Sequence, residues 1–116
     1  MGTNYYLMRK DFKEIYDKMD KDEKEYYWDK LIHKVGKSSA GWKFLFQYCN
    51  LFQSFDDLIR LLSSEKYILL NEYEEVISKL EFFNLVESKQ CSQSHKGLDP
   101  DLYEINNYDF IRGEFH

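Results

Sequence analysis

IHKVGKSSAGWKFLF, residues 32–46, decides how the chain is read. Apolar residues on either side, 30–35 and 42–52, favour strands, and the glycine-rich middle reads as the connection of a β-hairpin. On that reading His33 and Val35 share one face, Ile32 and Lys34 the other. The same middle resembles an anion cradle: Gly36 and Gly41 free the backbone N–H groups, Lys37 supplies charge, Ser38 and Ser39 supply hydroxyls. Trp42 beside them can stack on a base. A Walker loop is excluded. G-x-x-x-x-G-K-[ST] puts its first glycine where Leu31 stands, and a strand follows where a helix N-terminus would be needed to receive the phosphate.

Working outward, residues 3–8 (TNYYLM) read as a first strand. Residues 10–30 form a charged helical segment in which Phe12, Ile15, Tyr16 and Met19 share a face, and the charge run at 20–25 reads as a solvated turn or helix end. Ser54 caps a helix over 54–66 with Phe55, Leu58, Ile59 and Leu62 on one stripe, and residues 67–70 follow as a buried strand. After a turn at 71–75, Ser78 and Glu81 spell the S-x-x-E box of a second helix over 78–89. Residues 90–101 are a polar loop, and 102–115 alternate enough for one or two closing strands. The expected architecture is one α+β domain over 1–116, an antiparallel sheet with two or three helices packed on it.

Composition narrows the function. With 116 residues, 43% hydrophobic and 18% aromatic, the chain supports a single folded core. A net charge of −5 argues against long nucleic acid as partner, since backbone binding relies on a basic face. No apolar run has the length of a signal core or membrane span, so a soluble, cytoplasmic protein is expected. Cys49 and Cys91 read as free thiols. Cys91 and His95 have ligand-like spacing, and Cys49, His33 and His116 are further donors, but no second compact pair completes a zinc set; no metal or other cofactor is expected. A catalytic reading pairs His33 with Ser38 or Ser39 and draws on Asp56, Asp57, Glu72 or Glu74, yet nothing in their spacing is diagnostic, and binding is favoured over catalysis.

GTNYYL at 2–7 and the stretch His33-Lys34-Val35-Gly36-Lys37-Ser38-Ser39-Ala40-Gly41-Trp42 together resemble a family of small bacteriophage and prophage proteins. Its members open with a G-T-N-Y-Y block and carry H-x-G-K-S-S-x-G-W a few dozen residues later. SFDDLIRLL, LLNEYEEVISKLEFF and YDFIRGEF stand where that family has its S-W-x-D, D-E-Y-G…S-x-x-E-F and G-Y-x-F…x-E-F segments. The chain departs from the pattern in three places. The charged segment 10–30 replaces a Cys-rich insert, one extra residue separates His33 from Gly36, and Glu74 stands at the glycine of D-E-Y-G.

The resemblance implies phage origin and a small accessory protein acting against host defence in the cytoplasm of an infected bacterium. Three activities fit that setting and are expected in the order given. The first is sequestering a nucleotide-derived immune signal, such as those of CBASS or Thoeris. The second is direct inhibition of a host defence protein, and the third is a small phosphodiesterase or nuclease that needs His33 and a carboxylate beside Lys37. For the first, the expected ligand set is Asn4, Tyr6, His33, Gly36, Lys37, Ser38, Ser39, Gly41 and Trp42, within a homo-oligomer that encloses the ligand.

Overall fold

Strand β1 (Gly2–Arg9) lies near the middle of the sheet, antiparallel to β2 (Ile32–Ser39) on one side and to β4 (Tyr67–Asn71) on the other. The structure, a computed structural model, describes residues 2–112; His116 and the end of the 102–115 segment lie outside them. With β3 (Leu45–Gln47), β5 (Val76–Ile77), β6 (Leu102–Ile105) and β7 (Tyr108–Ile111), the described residues form a seven-stranded sheet in the order β5-β4-β1-β2-β3-β7-β6. The α+β class is as expected. The sheet is mixed, however: β3 and β7 run parallel, and every other neighbouring pair is antiparallel.

The expected loop over 36–42 is mostly strand. Gly36 to Ser39 continue β2 because each finds a partner on β1, from Tyr5↔Gly36 to Gly2↔Ser39. Only Ala40 and Gly41 turn, with Gly41 at φ 81°. Between Tyr5 and Tyr6 the register slips, so that Tyr6 faces Lys34 and Val35 is the additional residue of a β-bulge.

Among the described residues, four helices occupy the two faces. α3 (Phe55–Ser63) and α4 (Lys79–Ser88) start at Ser54 and Ser78, whose side chains accept the N–H of Asp57 and Glu81, both at 3.1 Å. They cover the first face, where Phe55, Leu58, Phe82 and Val86 meet Leu7, Val35, Phe46, Leu69 and Phe110. Segment 10–30 is two helices, α1 (Lys10–Asp17) and α2 (Lys21–Leu31). The chain breaks at Asp20, which caps α2 in a reciprocal box with Glu23, so the charge run 20–25 opens a helix. This pair covers part of the second face, with Tyr16 buried against Met8 and Leu70, and Phe12, Met19 and Trp28 around it. Burying each large apolar side chain contributes about 1.5–3 kcal/mol, so two cores clamp the sheet from opposite sides. Among the described residues no helix is long and apolar enough to cross a membrane.

Candidate functional site

Strand register places the expected ligand residues more firmly than their spacing does. Asn4 pairs with Lys37, Lys37 with Leu45, Leu45 with Asp109 and Asp109 with Glu104. These five residues therefore form one row across five strands, on the second face. Tyr6 lies on this face one step along β1, its ring edge-on to Trp28 at 5.5 Å. Ser39, opposite Gly2, is also on this face. The stem of Lys37 passes over Gly2, where a Cβ would come within 2.6 Å of its Cε. Among the described residues Lys37 has no ion-pair partner, and the Asn4 side-chain carbonyl is buried with no hydrogen bond.

Two of the expected residues belong to the other face. Ser38, opposite Thr3, is buried on the first face, and His33, opposite Leu7, is exposed at the far end of β2. Side chains alternate along a strand, and the bulge does not bring His33 round to Lys37. A phosphodiesterase built on His33 beside Lys37 therefore lacks its base. Gly36 serves packing, because a Cβ there would lie 2.2 Å from the Leu45 carbonyl oxygen and 2.5 Å from Phe44 Cε1. It lets β3 close against β2. Gly41 makes the turn, in open space.

Trp42 leaves the turn and stacks on His95, ring centroids 4.8 Å apart and planes at 26°. His95 arrives because the chain after α4 crosses the end of the sheet: Lys89 Nζ donates to the Ser39 carbonyl at 2.9 Å, and Lys43 N–H donates to the Gln93 carbonyl at 2.9 Å. Asp109, 1% exposed, then takes three donors: His95 N–H at 2.7 Å, His95 Nδ1–H at 2.8 Å and Ser94 Oγ–H at 2.8 Å. Three donors compensate a carboxylate that burial alone would penalise by several kcal/mol. Donation from Nδ1 to the carboxylate fixes the imidazole tautomer. Sequence reasoning treats His95 as incidental to a polar loop and passes over Asp109. The available signal is an aspartate between Tyr108 and Phe110, on the strand face opposite the phenyl rings.

Burial, reinforced by the charge of Glu72, raises the pKa of both Tyr5 and Tyr6 and keeps their hydroxyls protonated. Glu72 Oε1 itself accepts Asn4 N–H at 2.9 Å, so the β1 end of the row carries a carboxylate close to Lys37's strand. Two hollows open elsewhere. One of about 670 Å³ lies between Arg9, Asp11, Glu14 and Tyr67, the other of about 560 Å³ between Tyr16, Lys24, Trp28 and Glu74. Neither is lined by any of residues 36–42. The Lys37 row lies outside both of these hollows. No protein-family model, curated protein or solved structure matches the chain.

Proposed function

We propose that this protein binds a phosphate-bearing, nucleotide-type ligand on the second sheet face at Lys37, and that it serves a phage as a sponge for a nucleotide-derived immune signal. The observation that carries the reading is the Asn4–Lys37 pair: an ammonium with no ion-pair partner among the described residues, directly across from an amide whose buried oxygen has no partner. In a chain of net charge −5, a lysine that forms no ion pair among the described residues is a natural phosphate anchor. Ser39 on the same face adds a hydroxyl, Tyr6 adds a ring further along β1, and Trp42 follows the turn with its ring stacked on His95. His33, Ser38 and Gly36 drop out of the ligand set. A single wall gives a small molecule little burial, so the second wall comes from a second copy of the chain.

The test is a thermal-shift screen against cyclic di- and trinucleotides, ADP-ribose derivatives and NAD, run with wild type and Lys37→Ala. A ligand at about 100 times its Kd stabilises by about 2.7 kcal/mol. For 116 residues that raises Tm by about 10 °C. Lys37→Ala should abolish the shift, and sedimentation should show the ligand driving dimer formation. No shift with any of these compounds, or a shift that Lys37→Ala retains, defeats the reading.

A further inference from the structure

The second hollow, of about 560 Å³, has the size of a small-molecule site. Lys21, Lys24, Glu25, Trp28 and Asp29 of α2 line it, together with Tyr16 of α1 and Glu74 of the 72–75 turn. The five α2 residues stand at i, i+3, i+4, i+7 and i+8, the stripe with which a helix ordinarily packs on its sheet. Here that stripe is charged apart from Trp28, and α2 buries none of its residues.

The charges on this stripe run against the helix dipole. Lys21 and Lys24 stand at the start of α2, where unpaired backbone N–H groups already place positive charge, and Asp29 stands near its end, beside the free carbonyls. Away from the hollow the order is the ordinary one, with Glu23 in the first turn and Lys30 in the last. Like charges are also neighbours on the stripe. Lys21 and Lys24 are three residues apart, Glu25 and Asp29 four, and each pairing weakens an isolated helix.

Nothing in the fold uses these charges. Lys21, Lys24, Glu25, Asp29 and Glu74 form no salt bridge among the described residues. Lys24 Nζ lies over the Tyr16 ring, 5.4 Å from its centre. Glu74 accepts the Tyr16 hydroxyl at 2.5 Å on one oxygen and holds a left-handed φ of 63°, a conformation that favours glycine.

A stripe with a cationic start and an anionic end complements a ligand ordered the other way. At 1.5 Å per residue those ends are about 8–12 Å apart along the axis. The ammonium and carboxylate of a single amino acid backbone share one carbon and cannot reach both, whereas an extended chain of three residues spans about 10 Å. Between the ends, Trp28 tilts on Tyr16 with ring centres 5.7 Å apart, a surface suited to an apolar side chain.

We propose that this hollow binds a short zwitterionic peptide of about three residues. Its C-terminal carboxylate meets Lys21 and Lys24, its N-terminal ammonium meets Glu25 and Asp29, and its apolar central side chain lies against Trp28. Glu74 accepts a peptide N–H on the oxygen that Tyr16 does not use. The site is separate from Lys37 and stands or falls independently of ligand binding there.

The experiment titrates the full chain with Ala-Leu-Ala, with its N-acetyl and C-amide forms, and with free lysine, by calorimetry and amide chemical shifts. The free tripeptide should bind with a Kd below about 1 mM and move the resonances of residues 21–29 and 74. Blocking either end should weaken binding about tenfold, since each block removes a charge-assisted contact. Lys21→Ala should weaken the free peptide but not the C-amide, and Asp29→Asn the free peptide but not the N-acetyl form. Both residues are exposed, so the circular dichroism should stay that of wild type. Lys37→Ala should bind normally. No saturable binding, equal binding of the blocked peptides, tighter binding of lysine than of the tripeptide, or shifts centred elsewhere overturns the proposal.

Discussion

Replacing Gly36 with alanine tests whether the glycine of the GKSSAGW stretch serves packing or a ligand. The added methyl would sit 2.2 Å from the Leu45 carbonyl oxygen and 2.5 Å from Phe44 Cε1, where unstrained contacts begin near about 3.5 Å. Phe44 could rotate only into a core already filled by Phe46 and Phe82, whose rings lie 4.6 and 5.2 Å away. The Leu45 carbonyl belongs to β3, which is tied on its other side to β7. Relief therefore means moving a whole strand. Overpacking costs about 1–3 kcal/mol, and a backbone obstacle places this case near about 3. A domain of 116 residues unfolds with an entropy of about 0.24 kcal/mol/K, so Tm should fall by about 12 °C. Gly41→Ala is the control: it meets nothing within 4 Å and has only its φ of 81° to strain, for about 1 kcal/mol and about 4 °C. Calorimetry or circular dichroism melts, with urea titrations to check an unchanged m value, give the comparison. If Gly36→Ala melts within a few degrees of wild type, or no lower than Gly41→Ala, the close approach of β3 is wrong and the glycine is free to serve a ligand.

Three further outcomes follow from these contacts. Glu74 occupies a left-handed φ of 63° yet accepts the Tyr16 hydroxyl at 2.5 Å. Glu74→Gly should thus destabilise by about 1 kcal/mol in the wild type, losing more in the bond than it gains in backbone ease, but stabilise by about 1 kcal/mol in a Tyr16→Phe background; the same sign in both would refute the compensation. Asp109→Asn should cost about 1–3 kcal/mol, red-shift Trp42 fluorescence as the His95 stack loosens, and speed proteolysis near Lys96; an unaltered cleavage rate would show that Asp109 does not hold the loop. Tyr108 donates to Glu87 Oε1 at 2.6 Å, and its pKa is pushed up to about 12, first by burial and then by the bond to Glu87 and its charge. The unfolded chain releases this proton near pH 10 and the folded one later, so stability falls as pH rises from about 10 toward about 12. Tyr108→Phe should flatten that limb of a urea-midpoint profile, and an identical slope would remove Tyr108 as its cause.

What is legible in the sequence is whatever is encoded locally. Ser54 and Ser78 mark two helix starts because a side-chain oxygen three residues before a free N–H is a local device. The same grammar at Asp20 and Glu23 is masked by the surrounding charges, so α1 and α2 read as one segment. The turn between β6 and β7 rests on Asn106 and Asn107, both at positive φ, as a tight hairpin requires. Pairing between distant strands is not legible. Nothing in residues 45–47 specifies a parallel neighbour at 109–111, and nothing near Gly36 states that Gly2–Tyr5 will draw the expected loop into a strand. The site follows the same division. Asn4, Lys37, Tyr6 and Ser39 are expected and share a face, whereas His33 and Ser38 are carried away from them by alternation. His95 and Asp109 escape the sequence reading because their meeting depends on the path of a loop across the sheet.

The parallel junction of β3 with β7 also sets an order of assembly. β1, β2, β4 and β5 draw only on residues 2–77, so this half of the sheet can close while the chain is still being made. Gln47 must wait for Ile111, 64 residues later, which at about 5–20 residues per second is roughly 3–13 s. For that interval Phe46 lacks the Phe110 ring it stacks on, and β3 is an uncovered edge. The nascent chain is then most open to pairing with the wrong strand, and a ribosome stalled before residue 108 would hold it there.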